Sequence, residues 1–187
     1  MNLNLPDQIE TPRLILKKHV LDRDYIQLWV DLINQNRDWL KRFLSHFDEP
    51  MTFENEEAFL QEMVEQQEKR GKSYAIWNKE TGELMGSTGA FHFKETEGKK
   101  SAELGMMLFE KFAGFGYAPE ATHAFEQALF DAGLDECVLV IDARNKRSRR
   151  AAQKEGHIWD GKETTINRFH PEAQMLVYRK MKVNQHD

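Results

Sequence analysis

The spacing of apolar residues predicts a strand and three helical segments at the start of the chain. The segment RLILKKHV, residues 13–20, is typical of a strand. Asp22 is a residue type that caps helices, and DRDYIQLWVDLINQN carries apolar residues at helical spacing. A shorter helical segment, RDWLKRFL, follows, and residues 52–70 form a charged amphipathic pattern that predicts a longer helix.

Three further strands are predicted to form a meander. The apolar runs SYAIWN, LMGSTGAFHF and SAELGMML are separated by the polar segments KETGE and KETEGKK, which have the composition of turns. Because short polar turns join antiparallel neighbours, we expect these strands to pair in the order in which they occur.

A helix, a buried strand, a second helix and a last strand complete the pattern. Apolar residues recur at three- and four-residue steps over residues 121–132, and Pro119 lies in the first turn of that helix. The run CVLVID is continuously apolar, which is typical of a strand covered on both faces. NKRSRRAAQKEG predicts a short helix, and AQMLVYRKM predicts the last strand. This order predicts a mixed sheet covered by helices, of class α/β, or α+β by stricter accounting.

The composition bounds the class of protein. A chain of 187 residues with 40% hydrophobic residues can bury one sizeable core, so we expect a single domain over residues 1–187. The formal net charge of −5 argues against nucleic-acid binding, which requires a basic surface. Cys137 is the single cysteine, which excludes an internal disulfide and favours a reducing compartment. We see no signal-peptide pattern or membrane-length apolar run, and we therefore expect a cytoplasmic protein without a membrane partner.

Two glycines, Gly114 and Gly116, lie between a predicted strand and a predicted helix in EKFAGFGYAPEA. A dinucleotide fingerprint would need a third glycine where Pro119 stands, and no Lys-Ser/Thr pair of a P-loop follows Gly116. What remains is a helix N-terminus, whose unsatisfied N–H groups and dipole favour a phosphate or pyrophosphate. A tight turn that only lets the helix pack on the strand is the alternative.

Three segments resemble the GNAT superfamily of acetyltransferases. ELGMMLFEKFAGFGYAPEA, residues 103–121, resembles its acetyl-CoA-binding segment, in which a strand is followed by Gln/Arg-x-x-Gly-x-Gly/Ala and a helix. DARNKRSRRAAQKEGH resembles the next helix, and IETPRLILKKHVLDRDYIQLWVDLINQNRDWLKRFL is similar to the start of RimL-type ribosomal-protein acetyltransferases. The resemblance covers most of the chain. It implies acetyl-CoA as co-substrate and a GNAT-like, mostly antiparallel central sheet of about six to seven strands flanked by helices.

The resemblance also implies which residues bind acetyl-CoA. The strand backbone would hold the pantetheine arm and the thioester oxygen where the sheet splays, and the glycine turn and the next helix would hold the phosphates. The candidates are Met106, Met107 and Leu108 on the strand, Ala113, Gly114, Phe115, Gly116, Tyr117 and Ala118 in the turn, and Asn145 and Arg147 at the helix. Ala113 replaces the usual Gln or Arg, which removes a side-chain contact to coenzyme A. His157 replaces the usual aromatic residue, which we interpret as a packing change.

Two side chains are candidates for catalysis. Ser148 matches the family's serine, whose hydroxyl would protonate or stabilise the leaving thiolate; a local bond in the first helical turn is the alternative. Where some members of the superfamily carry a tyrosine acid, this chain has Ala152. Glu103 is the candidate base for the amine, directly or through water, and a solvent-facing glutamate is the alternative. An α-amine, with an ordinary pKa of about 8, needs less help from a base than a lysine amine at about 10.4, which favours an N-terminal acceptor.

The run RNKRSRR places basic residues at a helix N-terminus, where positive charge is unfavourable unless an anion lies nearby. Arg144, Lys146, Arg147 and Arg149 are therefore candidates for binding the phosphates of coenzyme A. RNA on a ribosome is a second candidate partner, and a solvated surface is the alternative.

Other conspicuous residues have simpler interpretations. His92 is expected to be a satisfied, half-buried strand histidine, with an orientation toward the active site as the alternative. Trp29 and Trp39 are expected to pack helices, with a role in an acceptor groove as the alternative. The seven histidines show no metal-ligand spacing, and one cysteine cannot form a structural zinc site, so no metal is predicted.

The residues and the resemblance together predict an acetyl-CoA-dependent N-acetyltransferase. The preferred acceptor is the α-amine of a protein, such as a ribosomal protein. A small amine acceptor (an aminoacyl conjugate, antibiotic or polyamine) and a non-catalytic module that binds coenzyme A stay open as alternatives, as does the formation of a homodimer.

Overall fold

The structure, a computed structural model, describes residues 3–44, 47–66, 72–164 and 173–183. The strands are β1 Gln8–Glu10, β2 Leu14–Lys18, β3 Lys72–Asn78, β4 Leu84–Thr96, β5 Lys99–Leu108, β6 Glu136–Asp142, β7 Ile158–Thr164 and β8 Met175–Met181. The helices are α1 Arg23–Gln35, α2 Arg37–Leu40, α3 Phe53–Gln66, α4 Tyr117–Asp131 and α5 Lys146–Lys154. The described strands form a sheet in the order β1-β2-β3-β4-β5-β6-β8-β7, in which the pair β5–β6 is parallel and the other pairs are antiparallel.

The predicted class is confirmed: the sheet is mixed, mostly antiparallel and flanked by helices. Its eight strands exceed the expected six to seven because the short β1 pairs with β2 and β7 pairs with β8 at the opposite edge. The predicted meander is β3, β4 and β5. The helix predicted over residues 52–70 corresponds to α3, and residues 67–70 lie outside the described residues.

Local sequence explains how α1 and α4 form and which side of each is buried. The side chain of Asp22 caps α1 by accepting a hydrogen bond of 3.1 Å from the N–H of Tyr25. The apolar stripe of each helix is the side that is buried. It comprises Ile26, Trp29, Val30 and Ile33 in α1, and Ala121, Phe125, Leu129 and Phe130 in α4.

The helices cover the two faces of the sheet unequally. On one face, the ring of Phe125 in α4 lies 5.6 Å from the ring of Tyr74 in β3. On the other face, the ring of Tyr25 in α1 stacks 6.2 Å from that of Trp77. Helix α5 lies beside α4, where Glu155 at its end is 3.6 Å from His123. The second face is therefore covered by α1 and α3 over β3, while α4 and α5 share the first.

The prediction that β6 is covered on both faces is wrong. Cys137 is fully buried on the side of α4 and α5, and burial raises the pKa of its thiol. On the opposite face, Glu136 and Val138 line an open cleft of about 600 Å³. The apolar run reflects packing of Leu139 and Ile141 beneath α5 rather than a second layer of helices.

A buried charged group links α4 to the last strands. The Nε2 atom of His157, whose side chain is fully buried, lies 2.9 Å from Oε1 of Glu126, and the Nζ atom of Lys180 lies 2.7 Å from Oε2 of Glu126. His157 is thus an interior packing residue, as predicted, and it contacts a carboxylate instead of supplying an aromatic ring.

Gly86 allows β5 to approach β4 closely. Its φ is +149°, and a Cβ atom at this position would lie 2.1 Å from the carbonyl oxygen of Met107. Glycine is therefore required here both by the backbone angle and by the space.

We expect Gly86→Ala to lower the free energy of unfolding by about 3 kcal/mol, because the added methyl group displaces the end of β5. Gly105→Ala is the matched control, since its added Cβ atom would lie 3.4 Å from the Phe91 ring and meet no backbone. Denaturant unfolding of both variants measures the difference, and equal losses would contradict this explanation.

Candidate active site

The parallel strands β5 and β6 diverge to form a fork. They pair from Ser101–Glu136 to Leu104–Leu139, and beyond these positions Gly105–Leu108 and Val140–Asp142 continue without pairing to each other. Each strand keeps its outer neighbour, because β5 remains paired with β4 and β6 with β8. The splay that the resemblance implies is therefore present in the described residues.

The N-terminal helices hold the end of β5. The indole Nε1–H of Trp39 donates to the carbonyl of Leu108 at 2.9 Å, and the N–H of Glu110 donates to Oδ1 of Asn36 at 3.0 Å. Trp29 is buried and lies 5.9 Å from the ring of Phe109. Trp39 thus does more than pack helices, because it also holds the end of β5 in place.

The strand alternation decides which backbone groups face the fork. The N–H of Phe109 donates to the carbonyl of Met85 in β4 at 2.9 Å, and the carbonyl of Gly105 accepts from the side-chain hydroxyl of Thr88 in β4 at 3.2 Å. Because alternate residues direct their N–H and C=O groups to opposite sides of a strand, Met106 and Leu108 direct theirs toward β6. Met107 directs its backbone toward β4, which narrows the predicted set of backbone donors to Met106 and Leu108.

The glycine turn lies at the open end of the fork and begins α4. Gly114 and Gly116 have φ values of +103° and +82°, so both use backbone conformations that side chains disfavour. Gly116 is the N-cap residue of α4, which presents its first N–H groups at this point. Ala113 has extended backbone, and a Cβ atom at Gly114 would lie 3.8 Å from Nη2 of Arg147. A cationic side chain therefore borders the turn even though Ala113 supplies none.

Arg13 supports the turn from the other side, and the sequence analysis did not identify it. Its guanidinium donates to the carbonyl of Phe115 at 3.0 Å, lies 4.4 Å from the centre of the Tyr117 ring, and donates to Glu120 at 2.6 Å. Thr11 also donates to Glu120, at 2.6 Å. Burial acts to raise the pKa of Glu120, but the hydrogen bonds from Thr11 and Arg13 lower it. No local pattern marks Arg13, because its partners lie more than a hundred positions away along the chain.

Asn145 and Ser148 lie at the start of α5. Asn145 is the N-cap, and its Oδ1 atom accepts from the N–H of Ser148 at 3.1 Å. The side chain of Asn145 therefore has a structural role, while the half-buried Ser148 keeps its hydroxyl outside this bond. Ala152 is buried in a small cluster with Ile141 and Tyr178, so its position is filled by core packing.

Two of the predicted phosphate-binding arginines are engaged elsewhere. Arg144 forms an ion pair with Asp142 at 2.6 Å. Arg149 donates to the hydroxyl of Tyr178 and to the carbonyl of Ala143, both at 3.1 Å. The prediction that Arg144 and Arg149 reach a phosphate is therefore not supported, and Arg147 is the arginine of this run that borders the glycine turn.

Glu103 lies on the opposite face of the sheet from α4 and α5. Its Oε2 atom is 3.1 Å from Nδ1 of His92, and both residues line the open cleft. The expectation that His92 is half-buried is wrong, because 52% of its side chain is exposed. No local pattern predicts that His92 and Glu103 meet, because they lie on different strands.

The geometry combines an anion site with a narrow backbone slot. The N-terminus of α4 and Arg147 can hold phosphates, and the fork can hold an extended arm against the backbone of Met106 and Leu108. A ligand that joins phosphates to a long flexible arm fits this combination. On the far side of the fork, Glu103 and His92 offer polar groups to a second ligand.

Two kinds of feature are not found in the described part of the chain. Its histidine, cysteine and acidic side chains do not form a group of three or more that could hold a metal ion. None of its helices is both long and apolar enough to span a membrane.

Comparisons with known proteins agree with the geometry. The family model of an acetyltransferase (GNAT) domain matches residues 13–157. No curated protein sequence matches the chain significantly. Among solved structures, the Microcin C7 self-immunity acetyltransferase MccE, in complex with acetyl-CoA and AMP, has a TM-score of 0.83 at 19% identity, with 97% of this chain and 99% of that chain covered.

Two ribosomal-protein acetyltransferases are also similar in structure. RimL, the ribosomal L7/L12 alpha-N-protein acetyltransferase in complex with coenzyme A, has a TM-score of 0.81 at 18% identity, with 93% of this chain and 97% of that chain covered. The ribosomal-protein-S5-alanine acetyltransferase from Vibrio fischeri has a TM-score of 0.75 at 16% identity, covering 93% and 96%. These structures share the fold of this chain.

We expect Arg147→Gln to weaken acetyl-CoA binding about tenfold, because a charged hydrogen-bond donor at the phosphate site is lost. Arg150→Gln is the control, since Arg150 is an exposed arginine on the same helix. Calorimetric titration of acetyl-CoA measures both affinities, and an unchanged dissociation constant for Arg147→Gln would remove Arg147 from the site.

Proposed function

Because this chain belongs to the acetyltransferase (GNAT) family, we propose that it transfers the acetyl group of acetyl-CoA to the α-amine of a protein N-terminus, such as that of a ribosomal protein. The observation that carries the proposal is the fork between β5 and β6, which opens on one face to the glycine turn and on the other to Glu103. We further infer that residues 1–187 form one acetyltransferase domain that acts in the cytoplasm.

The residues around the fork have separate tasks in this proposal. Acetyl-CoA supplies an activated acetyl group as its thioester. Gly114, Gly116 and Arg147 bind the phosphates, and the N–H of Met106 donates to the thioester oxygen as negative charge develops there. Ser148 donates its proton or a hydrogen bond to the leaving sulfur, and Glu103 assists removal of the proton from the amine.

The weak base favours an α-amine over a lysine side chain. At pH 7 roughly a tenth of an α-amine with a pKa of about 8 is already neutral, whereas a lysine amine with a pKa of about 10.4 is almost entirely charged. Carboxylates are ordinarily weaker bases than amines, so a carboxylate candidate such as Glu103 suits an acceptor that is partly neutral already. The similarity in structure to ribosomal-protein acetyltransferases points to the same acceptor.

A small amine is the second candidate acceptor. The structure of MccE, a self-immunity acetyltransferase with the same fold, contains AMP as well as acetyl-CoA, and we take this small second ligand as support for a small-amine acceptor. The open cleft lined by Glu103 and His92 is the acceptor site in this proposal, and it includes both acidic and basic side chains.

The acceptor class is tested by release of free coenzyme A thiol in the presence of peptides and small amines. We expect short peptides with a free N-terminus to be acetylated, and N-terminally blocked copies of the same peptides to be inert even when they contain lysine. Faster turnover of a small amine than of any peptide would overturn the protein acceptor and favour the second candidate.

The role of Ser148 is tested by Ser148→Ala. We expect kcat to fall about 10- to 100-fold with little change in the KM for acetyl-CoA, because the hydroxyl acts on the leaving group and not on binding. Ser148→Thr retains the hydroxyl and is the matched control, for which we expect most of the activity to remain. An unchanged kcat for Ser148→Ala would show that Ser148 only belongs to the helix cap.

A further inference from the structure

A bulge in β4 determines where His92 points. Phe91 pairs with Glu103 of β5, but the next pair is Lys94 with Ser101, so β4 contains one extra residue between them. His92 lies in this interval and has a φ of +49°. Bulges re-aim side chains and are common beside active sites.

The backbone of His92 is unusual among the described residues. Only His92 and Glu97 combine a side chain with a positive φ there, and Glu97 lies in the turn between β4 and β5, where such angles are common. Histidine adopts this conformation more often than most residues, but it still costs free energy relative to extended strand backbone. Because His92 lies within a strand, a turn does not explain its strained backbone.

The contact with Glu103 defines the state of the His92 ring. The Nδ1 atom lies 3.1 Å from Oε2 of Glu103. Because an ionised carboxylate only accepts hydrogen bonds, Nδ1 must carry the proton of the neutral ring, and Nε2 is left as an acceptor. A carboxylate fixes the tautomer of a basic histidine in the same way in catalytic triads.

The pair borders the fork. Glu103 is aligned with Val138, one step before the last pair of β5 and β6, and Gly105 in the fork is about 7 Å further along β5. The side chain of His92 is 52% exposed, so the ring is open to a ligand in the cleft.

Charged groups from all the neighbouring strands face this cleft. They are Lys94 on β4, Lys99 on β5, Glu136 on β6, Lys162 on β7 and Arg179 on β8, and Glu97 in the turn between β4 and β5 also lines the cleft. Arg179 is engaged by Asp160 at 2.6 Å and by Glu136 at 3.2 Å, and Lys99 lies 3.9 Å from Glu136. Glu136 is thus compensated by its own cations, and Glu103 is the carboxylate in contact with His92.

We propose that Nε2 of His92 accepts the proton of the acceptor's ammonium group, and that Glu103 is the positioning residue that holds the ring; this rests on the proposed function. An N–H bond of the ammonium breaks and an Nε2–H bond forms, which leaves a neutral amine and an imidazolium. The amine's lone pair then forms the C–N bond to the thioester carbon, the C–S bond breaks, and the second proton of the nitrogen passes through the Ser148 hydroxyl or solvent to the leaving thiolate. The imidazolium returns its proton to solvent. Imidazole suits this task better than a carboxylate because it exchanges protons nearer to neutral pH.

The ring state is tested without turnover. Long-range proton–nitrogen correlation spectra of the full ¹⁵N-labelled chain at pH 8 distinguish the two neutral tautomers, and the spectrum of His92→Asn assigns the signals. We expect the Nδ1–H tautomer in the wild-type protein and a shift to the Nε2–H tautomer in Glu103→Ala. An Nε2–H tautomer in the wild-type protein would overturn the proposal.

The proton transfer is tested by the pH dependence of turnover in His92→Asn. Asparagine also tolerates a positive φ, so we expect an unchanged unfolding midpoint. At pH 7 we expect kcat to fall about 100-fold with an unchanged KM for acetyl-CoA, and the deficit to shrink at pH 9, where the amine is already neutral. A structural defect would lower kcat equally at both pH values.

The matched control is His123→Asn, because His123 is also an exposed histidine, 3.6 Å from Glu155, but lies on the other face of the sheet. Wild-type turnover at pH 7 in His92→Asn, or a deficit of equal size at both pH values, would overturn the proposal. The acceptor in this assay is whichever amine the wild-type protein acetylates fastest. A preference for small amines would therefore refute the protein acceptor and leave the test of His92 intact.

Discussion

The rest of the site depends on one constraint: the parallel strands β5 and β6 stop pairing partway along their length. Beyond Leu104 and Leu139, the backbone N–H and C=O groups of β5 and β6 that face each other no longer form hydrogen bonds with each other. The fork persists because each arm is held from outside, β5 by β4 and by the indole of Trp39, and β6 by β8. A binding slot made of backbone places little demand on side chains, which explains how a methionine, Met106, can occupy its centre.

Two arginines, Arg13 and Arg147, border the glycine turn, and they differ in function. Arg13 is paired with Glu120 and donates to the carbonyl of Phe115, so its charge is compensated and it shapes the turn. Arg147 approaches from α5 and adds positive potential where the dipole of α4 is already positive. Anion binding relieves this unfavourable concentration of charge. In the proposed site, Arg147 therefore supplies from another part of the chain the positive charge that Ala113 lacks.

Elements with strong local patterns could be predicted from the sequence, and contacts between distant segments could not. The apolar spacing of α4 and the glycines before it were sufficient to identify the turn and the helix. Arg13 was missed because its partners are remote along the chain, and His92 was misjudged because a bulge shifts the strand by one residue. The apolar run of β6 does not reveal where the helices lie, so its open face could not be foreseen. Strand β1 is only three residues long, and the sequence of β7, IWDGKET, is mostly polar, so neither has a pattern by which it could be recognised.

The burial of Cys137 has a practical consequence for assays of this protein. It is the single cysteine of the chain, it lies beneath α4 and α5, and its raised thiol pKa keeps it in the unreactive protonated form. Colorimetric thiol reagents added to the native enzyme will therefore titrate the coenzyme and not the protein. In a continuous thiol assay, the folded protein therefore adds no background signal of its own. A slow rise in that background reports unfolding, because unfolding exposes Cys137.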